Sequence, residues 1–344
     1  MNYAFSKRDT TIVKGIAILA MLFHHTYPNN PGMPIHLVEG ANYLTLIAES
    51  GKICVSLLTI LSGYGLAESY KKLNDLTFFT KIKFCLSHYI QLLSMYWCIL
   101  LWAYIVKLMQ GGSIVNTYGT GIHGIINIII DILGLGMIFH STILIGGWYL
   151  TAVITFYALF PILFFLVQKL KWGMLVISYI PWIYYLIIND VNMHTDWWLF
   201  YVFSFTLGIY LSQTGFLCKQ KEWNSKKGIV ISVLLFVISL FLRAFITLPI
   251  DPLLSFAMIE LEIYIFSRMN VFASFLYRCG MQSANIWLLQ VVVIGLISGL
   301  SFITYPMRYI FLVFLCMGIS ILIEEIKGAL HYNELIKNIR RLLT

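Results

Sequence analysis

The sequence predicts an all-α fold: a polytopic membrane bundle of about ten transmembrane helices, with both termini in the cytoplasm. Three observations predict it. Of the 344 residues, 60% are hydrophobic and only 11% charged, against about 25% charged in soluble domains. Apolar runs of the length that crosses a bilayer core, about 17–25 residues, recur near 10–27, 44–68, 84–109, 148–168, 172–189, 196–213, 228–247, 250–267, 281–302 and 306–326. The charges are also sided. With the N-terminus inside, eighteen Lys and Arg fall on cytoplasmic ends and four outside, at Lys52, Lys107, Arg243 and Arg308. That bias is the positive-inside pattern. It also accounts for the formal net charge of +8 without nucleic acid as a partner.

The elements follow in order. The first run starts after Lys7 and Arg8 and lacks a small-x-small cleavage site, so it reads as a retained helix. Polar or Pro- and Gly-bearing joints separate the runs, as at 28–32 and 219–222. Residues 110–147 form a long outside connection whose apolar stretch, 122–139, is interrupted by Asp131, Gly134 and Gly136. A crossing there would invert every later loop. It is expected to be an interfacial or re-entrant element, tolerated when protein buries it. Two regions result: a transmembrane domain over 1–326, and a basic amphipathic cytoplasmic tail over 327–344 bearing Lys337, Arg340 and Arg341. The six cysteines show no CxxC pair or metal spacing, and His123, His140 and His194 lie at outside ends with no metal-ligand pattern. No metal is expected.

The first run, KGIAILAMLFHHTY, places Lys14, His24 and His25 in a span. Ionisable groups in a span cost at least ~2.5 kcal/mol each and normally face a polar cavity. Lys14 and His25 are eleven residues apart. At 100° per residue this is about 20° from three full turns, so they share one face about 16 Å apart. His24 points about 100° away. A cation near the inner surface with an imidazole deeper on the same stripe suits an anionic ligand entering from the cytoplasm. Histidine suits proton removal near neutral pH. Glu260, near the middle of the eighth span, either partners Arg243 or lines the cavity. Glu49 and Lys52, at i and i+3, are expected to pair. Trp148 and Tyr149 stand at a span end, where aromatic residues form interfacial belts or stack on a sugar.

Four stretches, in order, resemble the acyltransferase family 3 of integral membrane proteins. They are Lys14 with His25, the Leu61-Ser62-Gly63-Tyr64-Gly65-Leu66 segment, WYLTAVITFYALFPIL from Trp148 to Leu163, and GMQSANIWLLQ from Gly280 to Gln290. The chain departs from the family pattern at Val153 and Ile154, where many members are acidic. It departs again at Gln290, where many carry histidine, and at His88 and Gln91, the best match to an Arg-x-x-Arg pair.

The resemblance implies a membrane O-acyltransferase of a bacterial plasma membrane. It would transfer an acyl group, chiefly acetyl, from acyl-CoA to a hydroxyl of a cell-surface polysaccharide or its lipid-linked precursor. On this reading His25 is the catalytic base, and Lys14, Lys81 and Lys83 meet the donor phosphates. His24, Trp148, Tyr149 and Glu260 contact substrate. Acyl-CoA is a donor substrate rather than a tightly bound cofactor, and the partners are membrane lipid and a surface glycan. Ser62 and Gly63 are expected to serve close helix packing. The rival reading is a carrier or flippase for a glycan or lipid-linked intermediate on the same scaffold.

Overall fold

The computed structural model describes residues 5–27, 43–73, 77–139, 142–144, 148–188, 198–220, 225–297 and 305–343. His140 and His194 lie outside them. The helices, in chain order, are α1 Lys7–Thr26, α2 Tyr43–Ser50, α3 Ile53–Tyr70, α4 Phe78–Met109, α5 Val115–Tyr118, α6 Gly121–Ile132, α7 Trp148–Leu170, α8 Trp172–Ser178 and α9 Ile180–Ile188. They continue with α10 Val202–Thr214, α11 Phe216–Gln220, α12 Ser225–Ile246, α13 Asp251–Tyr264, α14 Asn270–Met281, α15 Ser283–Ile297, α16 Tyr305–Ala329 and α17 Tyr332–Leu343. Among the described residues there is no strand.

Five helices are long and apolar enough to cross a membrane, at Ile47–Tyr70, Phe78–Met109, Trp148–Leu170, Lys226–Ile246 and Pro306–Ala329; a sixth results if α14 and α15 count as one broken span. The other apolar runs are helical but do not meet that measure. α10 and α13 have 13 and 14 residues, and α1 carries Lys7, Arg8, Asp9 and Lys14. Helices enclosed by others need neither full length nor an unbroken apolar surface. The outward side of α12 is different. Val230, Leu234, Ile238 and Phe241 leave more than half of their surface uncovered, an apolar face suited to lipid.

The chain divides into two compact units, one of residues 1–72 and 162–283, the other of 73–161 and 284–344. In the first, α1 starts from a capping box: Ser6 Oγ accepts from Asp9 N at 3.3 Å while Ser6 N donates to Asp9 Oδ2 at 2.7 Å. α1 packs on α14 through Ile12, Ala273 and Leu276. α3 and α10 approach reciprocally. A Cβ on Gly63 would stand 2.2 Å from Phe205 O, and one on Gly208 2.1 Å from Ile60 O. Gly63 therefore does serve close packing, as small residues do where membrane helices touch.

The second unit contains the long connection. α6 is 12 residues, about 18 Å, and it descends along α4. Tyr104 Oη donates to Tyr118 Oη at 3.0 Å, Tyr96 Oη to Asp131 at 2.5 Å, Trp97 Nε1 to Ile132 O at 2.7 Å and Tyr89 Oη to Leu133 O at 2.7 Å. Fourteen α4 residues separate the first and last of these donors, so the segment reaches far down the helix before Gly134, at φ 71°, ends it. Asp131 is fully buried and also accepts from Tyr118 Oη. Burial and the Asp131 charge raise the Tyr118 hydroxyl well above the ordinary phenol range, so it remains a donor. The Asp131 that interrupts the apolar run is the residue that docks it.

One contact in this unit conflicts with strict alternation of ten crossings. Tyr149, in the first turn of α7, lies edge-on to Trp287, in the first turns of α15, with ring centroids 5.0 Å apart. The alternating scheme assigns those two helix starts to opposite faces of a core about 30 Å thick. The basic tail forms α17, which packs on α4, with Tyr332 Oη donating to Ser94 O at 2.9 Å and Arg340 Nε to Ser87 Oγ at 3.1 Å.

Candidate active site

The first unit gathers ionisable groups at the C-terminal end of α1. Its geometry starts from the break between α2 and α3. The last four carbonyls of a helix lack intrahelical partners, and Ala48 O is one of them. It accepts from Gly51 N at 2.9 Å and is met by His24 Nδ1 at 2.8 Å. A carbonyl only accepts, so Nδ1 carries the proton of a neutral His24. The break has to be glycine. A Cβ on Gly51 would stand 2.4 Å from Ala20 O and 2.9 Å from His24 Cβ.

His24 is therefore buried and fixed, while His25 beside it is exposed. The two rings meet edge to face, centroids 5.0 Å apart. Around them sit buried charges: Glu49 and Lys52 flank the break, and Arg243 Nε donates to Asp251 Oδ1 at 2.7 Å with both side chains 3–4% exposed. Lys52 and Arg243 are close enough for their charges to act on His24. The pair Arg243–Asp251 closes the tight turn from α12 to α13. There Thr247 holds φ 65°, ψ −133°, a conformation costly for a β-branched residue. The ends of α1 and α12 and the starts of α3 and α13 thus meet, as alternation within this unit requires.

The sequence-expected residues fall into place unevenly. Lys14 is half-buried on α1. On the same face between Lys14 and His25 lie Ile18 and Met21, 0% and 3% exposed, so polar character is confined to the two ends of the stripe. Glu260 does not partner Arg243, which Asp251 takes. It is 5% exposed on α13, and its Oε1 has no hydrogen-bond partner among the described residues. A charged or polar atom left so in a bundle interior is costly. The sequence reading missed Asp251 and offered Glu260 as a partner of Arg243 or as a cavity-lining residue; the first of these two alternatives does not hold. Asp251-Pro252 opening a helix eight residues after an arginine was the available signal.

The remaining candidates belong to the second unit. Lys81 is half-buried and Lys83 exposed near the start of α4. Within two turns stand His88, which holds Phe84 O at 2.9 Å, and Arg340 of α17, whose charge reaches His88. Tyr149 is 4% exposed and its ring lies against Trp287, whereas Trp148 is half-buried.

Comparison with known proteins adds one decisive finding. A family model described as an acyltransferase domain, that of acyltransferase family 3, matches residues 10–325, nearly the whole chain. No curated protein matches the chain, and no solved structure does. The matched family is one of enzymes, which favours the enzyme over the carrier. The chain belongs to the acyltransferase 3 family and is a membrane acyltransferase that moves acyl groups other than aminoacyl groups.

Proposed function

We propose that the protein is an O-acyltransferase of a bacterial plasma membrane. It transfers an acetyl group from acetyl-CoA to a hydroxyl of a cell-surface polysaccharide or its lipid-linked precursor. The observation that carries this reading is the paired imidazole arrangement: an exposed His25 held edge-on against a His24 that Ala48 O fixes. His25 removes the proton of the acceptor hydroxyl as its oxygen attacks the thioester carbonyl. The C–S bond breaks, and the imidazolium returns the proton to the leaving thiolate. His24 acts by holding the His25 ring, and Trp148 offers a face to the sugar.

The donor phosphates are assigned to cations: Lys14 in the first unit, and Lys81 and Lys83 in the second. Arg340 joins the latter group. It brings a guanidinium from α17 to the α4 position where the family's arginines are replaced by His88 and Gln91. Charge-assisted contacts to phosphate are strong, so Arg340→Ala is expected to raise the KM for acetyl-CoA about tenfold, ~1.4 kcal/mol, with kcat little changed. An unchanged KM would remove Arg340 from the donor site. Glu260 is assigned to the acceptor side, in the interior of the first unit.

The reaction itself is tested on the producing cell. Deleting the gene should remove an O-acetyl ester from the surface glycan, seen by mass spectrometry as loss of 42 Da units (about one acetyl each on a hydroxyl, a group that acyl transfer adds). Mild base should produce the same loss in the wild type. Unaltered ester content with less glycan outside would refute the assignment.

A further inference from the structure

The last helix of the second unit stands at a particular depth. Tyr332 Oη bonds Ser94 O and Arg340 Nε bonds Ser87 Oγ. Eight residues of α17, about 12 Å, therefore run beside seven of α4, about 10.5 Å, in the opposite direction. α17 leans along a spanning helix rather than lying flat. The charges of α4 set its level. No Lys, Arg, Asp or Glu falls between Lys83 and Lys107, a stretch of about 35 Å that fills a bilayer core of about 30 Å. Ser87 is one turn inside Lys83, and Ser94 is about 16 Å inside it. α17 thus covers the headgroup–acyl boundary at the Lys83 end of α4.

Helical periodicity divides α17 into three faces. Tyr332, Ile336 and Arg340, four residues apart, form the face on α4, and Ile336 is buried there. Leu335, Ile339 and Leu342 form a second apolar stripe beside it, 57%, 37% and 83% exposed. α4 therefore covers only part of the apolar arc. The stripe comes directly after Leu322, Ile326 and Leu330, also exposed, at the end of a spanning helix. At that depth hydrocarbon is what covers it. The third face carries Lys337 and Arg341, both exposed. Glu334 is the one carboxylate of α17, and it lies 3.3 Å from His331. An uncovered leucine and isoleucine stripe beside exposed cations is the pattern of a helix seated among anionic lipids.

We propose that α17 is seated in the headgroup–acyl boundary of an anionic leaflet, with Leu335, Ile339 and Leu342 among the acyl chains and Lys337 and Arg341 on lipid phosphates. The long basic side chains reach the headgroups while the stripe stays in hydrocarbon. The full-length protein is placed in vesicles of equal parts phosphatidylglycerol and phosphatidylcholine. The photoreactive residue benzoylphenylalanine replaces Leu335, Ile339 or Leu342, or, on the polar face, Glu334 or Asn338, one position at a time. After illumination, mass spectrometry reads what each position has captured. Lipid adducts should form at the three stripe positions and be scarce at 334 and 338. Phosphatidylglycerol should exceed phosphatidylcholine among them by about fivefold, the effect of one basic side chain near anionic lipid. Lys337→Gln combined with Arg341→Gln should abolish that preference while leaving the adducts themselves, which shows that the helix is still in place. Stripe positions that capture no lipid, that crosslink to a second copy of the chain, or that capture lipid no better than 334 and 338 would each overturn the proposal. So would adducts in the bulk lipid ratio. Acyl transfer is not read in any arm, so the outcome is independent of the proposed reaction.

Discussion

His25→Ala is expected to lower acyl transfer by about 10²–10⁴-fold, the usual contribution of a positioned general base, while insertion and thermal stability stay near wild type. The stability expectation rests on exposure: His25 is at the surface of its unit, and truncation there leaves no buried cavity. His24 behaves oppositely. Its imidazole is 5% exposed and bonded to Ala48 O at 2.8 Å, so His24→Leu leaves a buried carbonyl short of one donor and costs about 1–3 kcal/mol. His24→Asn restores an N–H close to where Nδ1 stands and should recover much of both stability and activity. Asparagine at 25 should recover none of the activity. The measurements are transfer rate on a defined acceptor and unfolding temperature in the same detergent. Full activity in His25→Ala, joined to inactivity in a stably folded His24→Asn, would transfer the role of base to His24.

The second large effect concerns Arg243 and Asp251. Their 2.7 Å contact is almost entirely withdrawn from solvent, and it closes the α12–α13 turn beside the histidines. Removing one partner of such a pair leaves an uncompensated charge and costs about 3–5 kcal/mol. Arg243→Leu and Asp251→Leu should each destabilise by that amount. The double substitution should cost far less than the sum, because apolar replacement of both members of a buried pair is often neutral. Thermal unfolding of the three variants checks this, and additive losses would show that the pair is not energetically coupled. Activity adds a further readout. Lys52 and Arg243 both act electrostatically on His24, so the stable double variant should still transfer acyl groups more slowly than wild type.

Much of the site is legible in the amino-acid order. The capped, apolar α1 with two terminal imidazoles is a local pattern, and helical periodicity is enough to place Lys14 and His25 on one stripe. Gly63 is legible for the same reason: a small residue within a span has few uses other than close approach. Legibility ends where partners come from distant sequence. Periodicity puts Ile18 and Met21 on the Lys14–His25 stripe as well, but it does not say that both are buried. Arg243 is a natural partner for Glu260 on charge alone, because both are intramembrane ions of opposite sign. Asp251 takes it instead, eight residues on across a tight turn, and Glu260 is further along the same helix α13. His88 and Gln91 read as a loss of charge from α4, yet Arg340 arrives beside His88 from a helix some 250 residues later.

Amino-acid order alone determined that this protein is helical, apolar and membrane-bound, that it belongs to an acyl-transferring family, and that an imidazole pair ends its first helix. Composition and repeat period carry such information because each residue's tendency to leave water acts locally. Only the tertiary structure decided which imidazole is buried and which is exposed, how Asp131 docks α6 on α4, and that the starts of α7 and α15 lie side by side. Those outcomes depend on which polar groups find hydrogen-bonding partners when distant helices pack, and in an apolar bundle almost any helix face can bury itself against several others before such pairings select one.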